Sequence, residues 1–154
     1  FLFKQPELLV SLCGIILRTV YRLVDHRVFM KQPYTATEVP FTHISLQELF
    51  GDHSILNAVC GKEEALRKVA IGFAGEEFIH DAEDCLDGLC ELINSINGMF
   101  ASKMSGEDMD LDMKVPQFHL NAGTLKADSL LCIPVVVFDQ ELTFVLSLDT
   151  PYSI

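Results

Sequence analysis

Residues 79–102 read IHDAEDCLDGLCELINSINGMFAS, and the fold turns on how this stretch is read. At about 100° per residue, Ala82, Cys85, Leu86, Leu89, Leu92, Ile93, Ile96, Met99 and Phe100 fall within about 70° of one direction. That stripe predicts a long helix from Ile79 to Ser102 lying on a core. On the opposite side His80, Asp84, Asp87, Glu91, Asn94 and Gly98 form one ridge at alternating spacings of four and three. Acidic residues opposite an apolar stripe are ordinarily a solvated face, which accounts for Asp84 and Asp87. It accounts less well for Asn94 and Gly98, because lysine, glutamate or alanine would serve there at lower helical cost.

Outward from this helix, KEEALRKVAIGFAG (62–75) places Ala65, Leu66, Val69, Ala70 and Phe73 on one side and ends in Gly75, as an amphipathic helix does. SILNAVC (54–60) reads as a short strand closed by Gly61. Residues 45–52 read as a short helical turn, and 28–41, with Pro33 and Pro40, as strands and turns. Residues 6–24 form an expected helix with Pro6 in its first turn, apolar on nearly every face and so buried on more than one side. Its apolar run is interrupted at Arg18, far short of a membrane span. After the long helix, SGEDMDLDMKVP (105–116) reads as an exposed acidic loop and FHLNAGTLKA (118–127) as a strand bent at Gly123. LCIPVVVF (131–138) and LTFVLSL (142–148) read as a hairpin. The sum is an α+β fold: a largely antiparallel β-sheet with two or three long helices packed on it, as a single domain over residues 1–154.

Twenty-two acidic residues against eleven basic ones argue against a nucleic-acid binder, since nothing resembles a basic stripe that could release counterions from a phosphate backbone. The cysteines at 13, 60, 85, 90 and 132 show no CxxC pair and no cysteine-histidine spacing of the zinc kind. They read as reduced core thiols of a cytoplasmic protein. Glu77 and His80 form one ExxH pair, but a di-iron bundle needs a second, and none exists. Cys60 and Arg67 are spaced wrongly for a cysteine phosphatase. No metal or other cofactor bound by this chain is expected.

The chemistry that remains is that of Glu91 and Asn94. A carboxylate one helical turn before an amide offers a charged acceptor and a neutral donor-acceptor pair in fixed relation. An amide cannot act as a general base, yet it can hold a water by accepting one hydrogen bond and donating another. In phosphoryl transfer, where catalysis is mostly positioning and charge stabilisation, that is a useful skill. Glu91 could then dock a lysine of a partner, and Gly98 would leave room for the partner's approach.

Asp87, Glu91 and Asn94, followed by Pro116, resemble the signature of the CheC/CheX family of chemotaxis phosphatases. The order of elements over roughly residues 54–150 resembles that family too. The single motif is nearer the CheX-like branch than the CheC-like members, which carry two. The resemblance implies hydrolysis of the aspartyl phosphate of a CheY-type receiver domain, with Asn94 orienting the attacking water and Glu91 contacting the receiver's lysine. It further implies partner contacts at Asp87, Gly98 and Pro116, Mg²⁺ carried by the receiver, and a homodimer. The rival reading is a binding or dimerisation module that keeps the fold without hydrolysing anything. An acidic chain meeting an acidic receiver would be opposed at long range unless Lys62, Arg67, Lys68 and Lys103 make a local patch.

Overall fold

The structure is a computed structural model that describes residues 5–154. Three helices and a nine-stranded antiparallel sheet account for most of the described residues. The first helix, α1, spans Pro6–Leu23. Pro6 suits the start because its missing N–H would be unsatisfied there anyway, and Glu7 and Arg22 complement the helix dipole at the two ends. Its buried residues are Leu8, Leu9, Leu12, Ile15, Ile16, Thr19 and Val20, a stripe at helical spacing. The expectation of burial on several sides is corrected: Val10, Tyr21 and Leu23 stay on the outer face.

Short β1 (Phe29–Met30) and β2 (Tyr34–Phe41) follow, both paired with β7 (Gly123–Val137). The sheet runs β1, β7, β8 (Gln140–Leu148), β4 (Ile55–Gly61), β3 (Ile44–Gly51) and β5 (Leu111–Met113); β6 (Gln117–His119) also pairs with β3, and β9 (Tyr152–Ser153) with β7. The register of β2 on β7 shifts between Ala36 and Glu38, and here β7 bends away from β8. The sheet therefore curls and buries both faces. Toward the helices, Leu142, Phe144, Leu146 and Leu148 of β8 join Ile133, Val135 and Val137 of β7 in the main core. On the other face Val145 packs with Val39, Phe41, Leu56, Leu125 and Leu130 in a second core with no helix.

The expected hairpin is β7 and β8. Phe138 and Asp139 at its tip both have positive φ, 50° and 61°, as a two-residue turn matched to strand twist requires. Asp25, just past α1, accepts hydrogen bonds from the main-chain N–H of Phe138 at 2.9 Å and of Arg27 at 3.0 Å, tying the helix to this turn.

Residues 45–52 form no helical turn. Residues 45–51 belong to β3, which lies between β4 on one side and β5 and β6 on the other. Leu, Gln and Glu favour helix in isolation, but Ile44, Ser45, Leu46 and Gln47 are buried from both faces, and packing in mid-sheet overrides that preference. Part of the expected acidic loop is likewise ordered as β5, with Leu111 buried. Gly51 at φ 134° makes this possible, since a Cβ there would collide with the Asp110 carbonyl oxygen.

The helix α2 (Glu63–Ala74) closes at Gly75, φ 100°, as its sequence predicts. The motif helix α3 spans Ala82–Ser105. It begins after the expected Ile79, because Asp81 caps it by accepting from the Asp84 N–H at 2.8 Å. The Asp84 carboxylate in turn accepts from the N–H of His80, the residue before the cap, at 3.0 Å. His80 is thus off the helix and off the ridge, and Asp84 is occupied by the cap.

Candidate functional site

Between α1 and α2, α3 buries more of its circumference than an isolated amphipathic helix would. Gly88, Cys90 and Asn97 are buried in addition to the expected stripe, and Met99, expected inside, is 45% exposed beside α1. The outer strip that remains carries Asp87 and Glu91, both exposed, with Asn94 and Gly98 half-buried along one flank. A Cβ at Gly98 would lie 3.8 Å from Met113 Cε of β5, ordinary contact distance, so that flank borders the sheet edge rather than open solvent.

Beneath this strip lies a chain of amides absent from the sequence-derived set. Gln47 Nε2 of β3 donates to Asn94 Oδ1 at 2.8 Å and to the main-chain carbonyl of Lys114 at 2.7 Å. Asn97 Nδ2 donates to Gln47 Oε1 at 2.8 Å, and Asn57 Nδ2 of β4 donates to Asn97 Oδ1 at 2.9 Å. Gln47, Asn57 and Asn97 are all essentially inaccessible to solvent. Asn94 is therefore the outer end of a polar chain that begins in the centre of the sheet. Its Nδ2 has no intramolecular partner among the described residues.

Pro116 lies where the strand opposite β3 breaks. Leu49 pairs with Met113 and Leu46 with Gln117, so Lys114, Val115 and Pro116 stand opposite Gln47 and Glu48. Three residues against two make a bulge, and the proline suits it because it has no N–H to give to a ladder. The bulge turns the Lys114 carbonyl toward the Gln47 side chain. Lys114, two residues before Pro116, and Asn94 thus meet through Gln47.

Glu91 makes no ion pair among the described residues, and its main-chain carbonyl accepts from the Ser95 hydroxyl at 3.0 Å. Neither Glu91 nor Asn94 lines the cleft of about 680 Å³ against β9, which includes Glu48, His119 and Tyr152. The pair stands on a ridge, a shape suited to another macromolecule more than to a small ligand.

Three of the four expected cations have partners of their own. Lys68 pairs with Glu64 along α2, and Arg67 turns toward the Ile79 carbonyl. Lys103 donates to Ser11 Oγ of α1 at 2.9 Å and shares with Arg18, Arg22 and Met99 a cleft of about 390 Å³ between α1 and α3. None of these three cations pairs with a carboxylate among the described residues. Burial pushes the Cys60 thiol up to about 12 and the Cys90 thiol up to about 11, so neither is a nucleophile at neutral pH. Among the described residues no group of three or more His, Cys, Asp or Glu could hold a metal ion, and no helix is long and apolar enough to cross a membrane.

A family model described as "Chemotaxis phosphatase CheX" matches residues 43–138. Among curated proteins none matches the chain in sequence. Among solved structures, a chemotaxis protein CheX from Desulfovibrio desulfuricans is similar at TM-score 0.77 and 17% identity, over 92% of this chain and 99% of that one. The CheX of Vibrio vulnificus matches at TM-score 0.76 and 13% identity, over 92% and 99%. A CheX from Borrelia burgdorferi, solved in a complex with CheY, BeF3 and Mg²⁺, matches at TM-score 0.70 and 16% identity, over 92% and 96%. At such identities these structures speak for the fold alone.

Proposed function

This chain belongs to the chemotaxis phosphatase CheX family, and from that premise we propose that it hydrolyses the aspartyl phosphate of a CheY-type receiver domain, using Glu91 and Asn94 of α3. The observation that carries the reading is the placement of this pair: an exposed carboxylate and a half-buried, internally anchored amide, one turn apart on an outward ridge. The Borrelia relative was solved with CheY, BeF3 and Mg²⁺, the chemical company such a ridge would keep.

Asn94 holds a water in line with the phosphorus. Its Nδ2 donates to the water oxygen, and Oδ1, with one lone pair given to Gln47, keeps the other for a water hydrogen. The water oxygen bonds to phosphorus, the bond from phosphorus to the aspartyl oxygen breaks, and a carboxylate and inorganic phosphate leave. The amide takes no proton; its contribution is orientation. Glu91 accepts a hydrogen bond from the receiver's lysine and so sets the docking register. Asp87, Gly98 and Pro116 border the footprint. The Mg²⁺ that supports this chemistry is the receiver's, and this chain supplies no ligand to it.

A homodimer belongs to the same reading. Phe29, Met30 and Tyr34 leave large apolar side chains exposed along β1 and β2 at the sheet edge, and sedimentation of the purified chain reads the state directly.

The experiment is the loss of acyl phosphate from phosphorylated receivers of the host, with and without this protein, and with Glu91→Ala. The expected result is faster loss with the wild type and a raised half-saturating concentration for Glu91→Ala. No acceleration of any receiver by the wild type would leave a binding module as the better account.

A further inference from the structure

We infer that Gln47 is a positioning residue that fixes which end of the Asn94 amide faces outward, and that the main-chain carbonyl of Lys114 sets this polarity. The inference rests on the phosphatase reading for its consequence, but its structural content stands on the hydrogen bonds alone.

The two ends of a carboxamide have nearly the same shape, so what decides its orientation is the network around it. A main-chain carbonyl can only accept. Facing Lys114 O at 2.7 Å, Gln47 must present Nε2 and not Oε1. The second hydrogen of that nitrogen then points at Asn94, whose oxygen must receive it at 2.8 Å. A flipped Asn94 would set nitrogen against nitrogen. In the other direction Gln47 Oε1 needs a donor, which Asn97 Nδ2 supplies at 2.8 Å, and Asn97 Oδ1 needs one in turn, which Asn57 Nδ2 supplies at 2.9 Å.

The far end tests the logic. Once Asn57 has given its nitrogen to Asn97, its oxygen is left over, and Asn57 Oδ1 is indeed a buried side-chain oxygen without a partner. Turning Asn57 around would bring its oxygen against Asn97 Oδ1, so the leftover is forced by the chain's direction. An unpaired buried acceptor is costly, and the chain ends in one while every contact nearer Asn94 is satisfied. Polarity runs from Lys114 O outward to Asn94 and inward to Asn57, and Asn94 is left with Nδ2 directed away from the protein.

For a group whose task is to aim a water, this removes the alternative flip before the receiver arrives. Gln47 touches neither water nor phosphorus; it acts through Asn94.

Two measurements test this. In the wild-type protein, ¹⁵N NMR of side-chain amides is expected to find the NH₂ groups of Gln47, Asn57 and Asn97 protected from solvent exchange and that of Asn94 exchanging freely. In Gln47→Met, of similar length but without donors, kcat on a phosphorylated receiver is expected to fall about tenfold with KM unchanged, as expected for the loss of one orienting hydrogen bond. A protected Asn94 NH₂ in the wild type overturns the inference, as does a folded Gln47→Met with wild-type kcat. Should Gln47→Met fail to fold, the exchange pattern decides. A wild type that hydrolyses nothing overturns the phosphatase reading instead, and the exchange pattern still reports the polarity.

Discussion

Asn97 is wholly buried and joins Asn57 to Gln47 through both ends of its amide. Truncation in Asn97→Ala removes two hydrogen bonds at once. It leaves Gln47 Oε1 without a donor, and Asn57, whose oxygen is already unpartnered, without any side-chain hydrogen bond. Each buried polar group so abandoned costs about 1–3 kcal/mol. Alanine's helix preference returns about 0.5 kcal/mol at this mid-helix position. The expected net loss is about 1.5–5.5 kcal/mol, read in urea as a lower midpoint at unchanged slope. A water entering the vacated space would lower the figure by bridging Asn57 and Gln47. Asn97→Leu separates the cases, because a side chain of similar volume shuts water out and is expected to cost at least as much as alanine. An Asn97→Leu protein within about 0.5 kcal/mol of the wild type would refute the reasoning, since the amide chain would then contribute nothing to stability that packing cannot replace.

Three further outcomes follow from other parts of the fold. The hydrogen bond from the Phe138 N–H holds the Asp25 carboxyl below its ordinary value of 3.8, aided by the Arg27 N–H and charge and opposed by burial. A depressed carboxylate stabilises the fold above its unfolded value and loses that contribution as pH falls through its folded one. Asp25→Ala is expected to cost about 1–3 kcal/mol at neutral pH. The gap to the wild type should close below about pH 3.8 in pH-dependent melts. Native protein at pH 8 should offer a thiol reagent only Cys13, and slowly, because the other four cysteines are buried; all five should react in denaturant. Arg18→Glu with Arg22→Glu is expected to lower kcat/KM for an acidic receiver about tenfold at low salt, with the gap narrowing as salt is added. An unchanged, salt-insensitive rate would mean that the cations of the α1–α3 cleft do not steer the encounter.

What could be read from the sequence follows where local and tertiary preferences agree. KEEALRKVAIGFAG has helical spacing, charges on one side and a glycine stop, and α2 ends at that stop. The long helix and the β7–β8 hairpin were legible for the same reason, with Leu142, Phe144, Leu146 and Leu148 on the core side of β8. ISLQELFG was not, because its leucines, glutamine and glutamate favour helix and only the neighbouring strands make it β3. Read as a turn, the stretch gives Gln47 no reason to lie under Asn94. A signal did exist: Asn57 sits inside the apolar run SILNAVC, and Asn97 lies beside the motif on a helix face that buries far more than one stripe. Amides within apolar runs point to a buried polar network, but which amides meet depends on the pairing of β3 with β4, where Gln47 stands opposite Asn57. His80 falls outside the helix because the Asp81 carboxylate caps the Asp84 N–H and the Asp84 carboxylate holds the His80 N–H, which moves the start of α3 past it.

The central claim is that Asn94 orients water and does not hold the partner. It is tested most directly by Asn94→Ala in single-turnover dephosphorylation of a receiver, paired with binding to the same receiver carrying beryllofluoride. The account predicts a fall of about 100-fold or more in the rate at saturation, with affinity unchanged and the fold intact. A variant that still hydrolyses at the wild-type rate once saturated, or that loses only affinity, would contradict it.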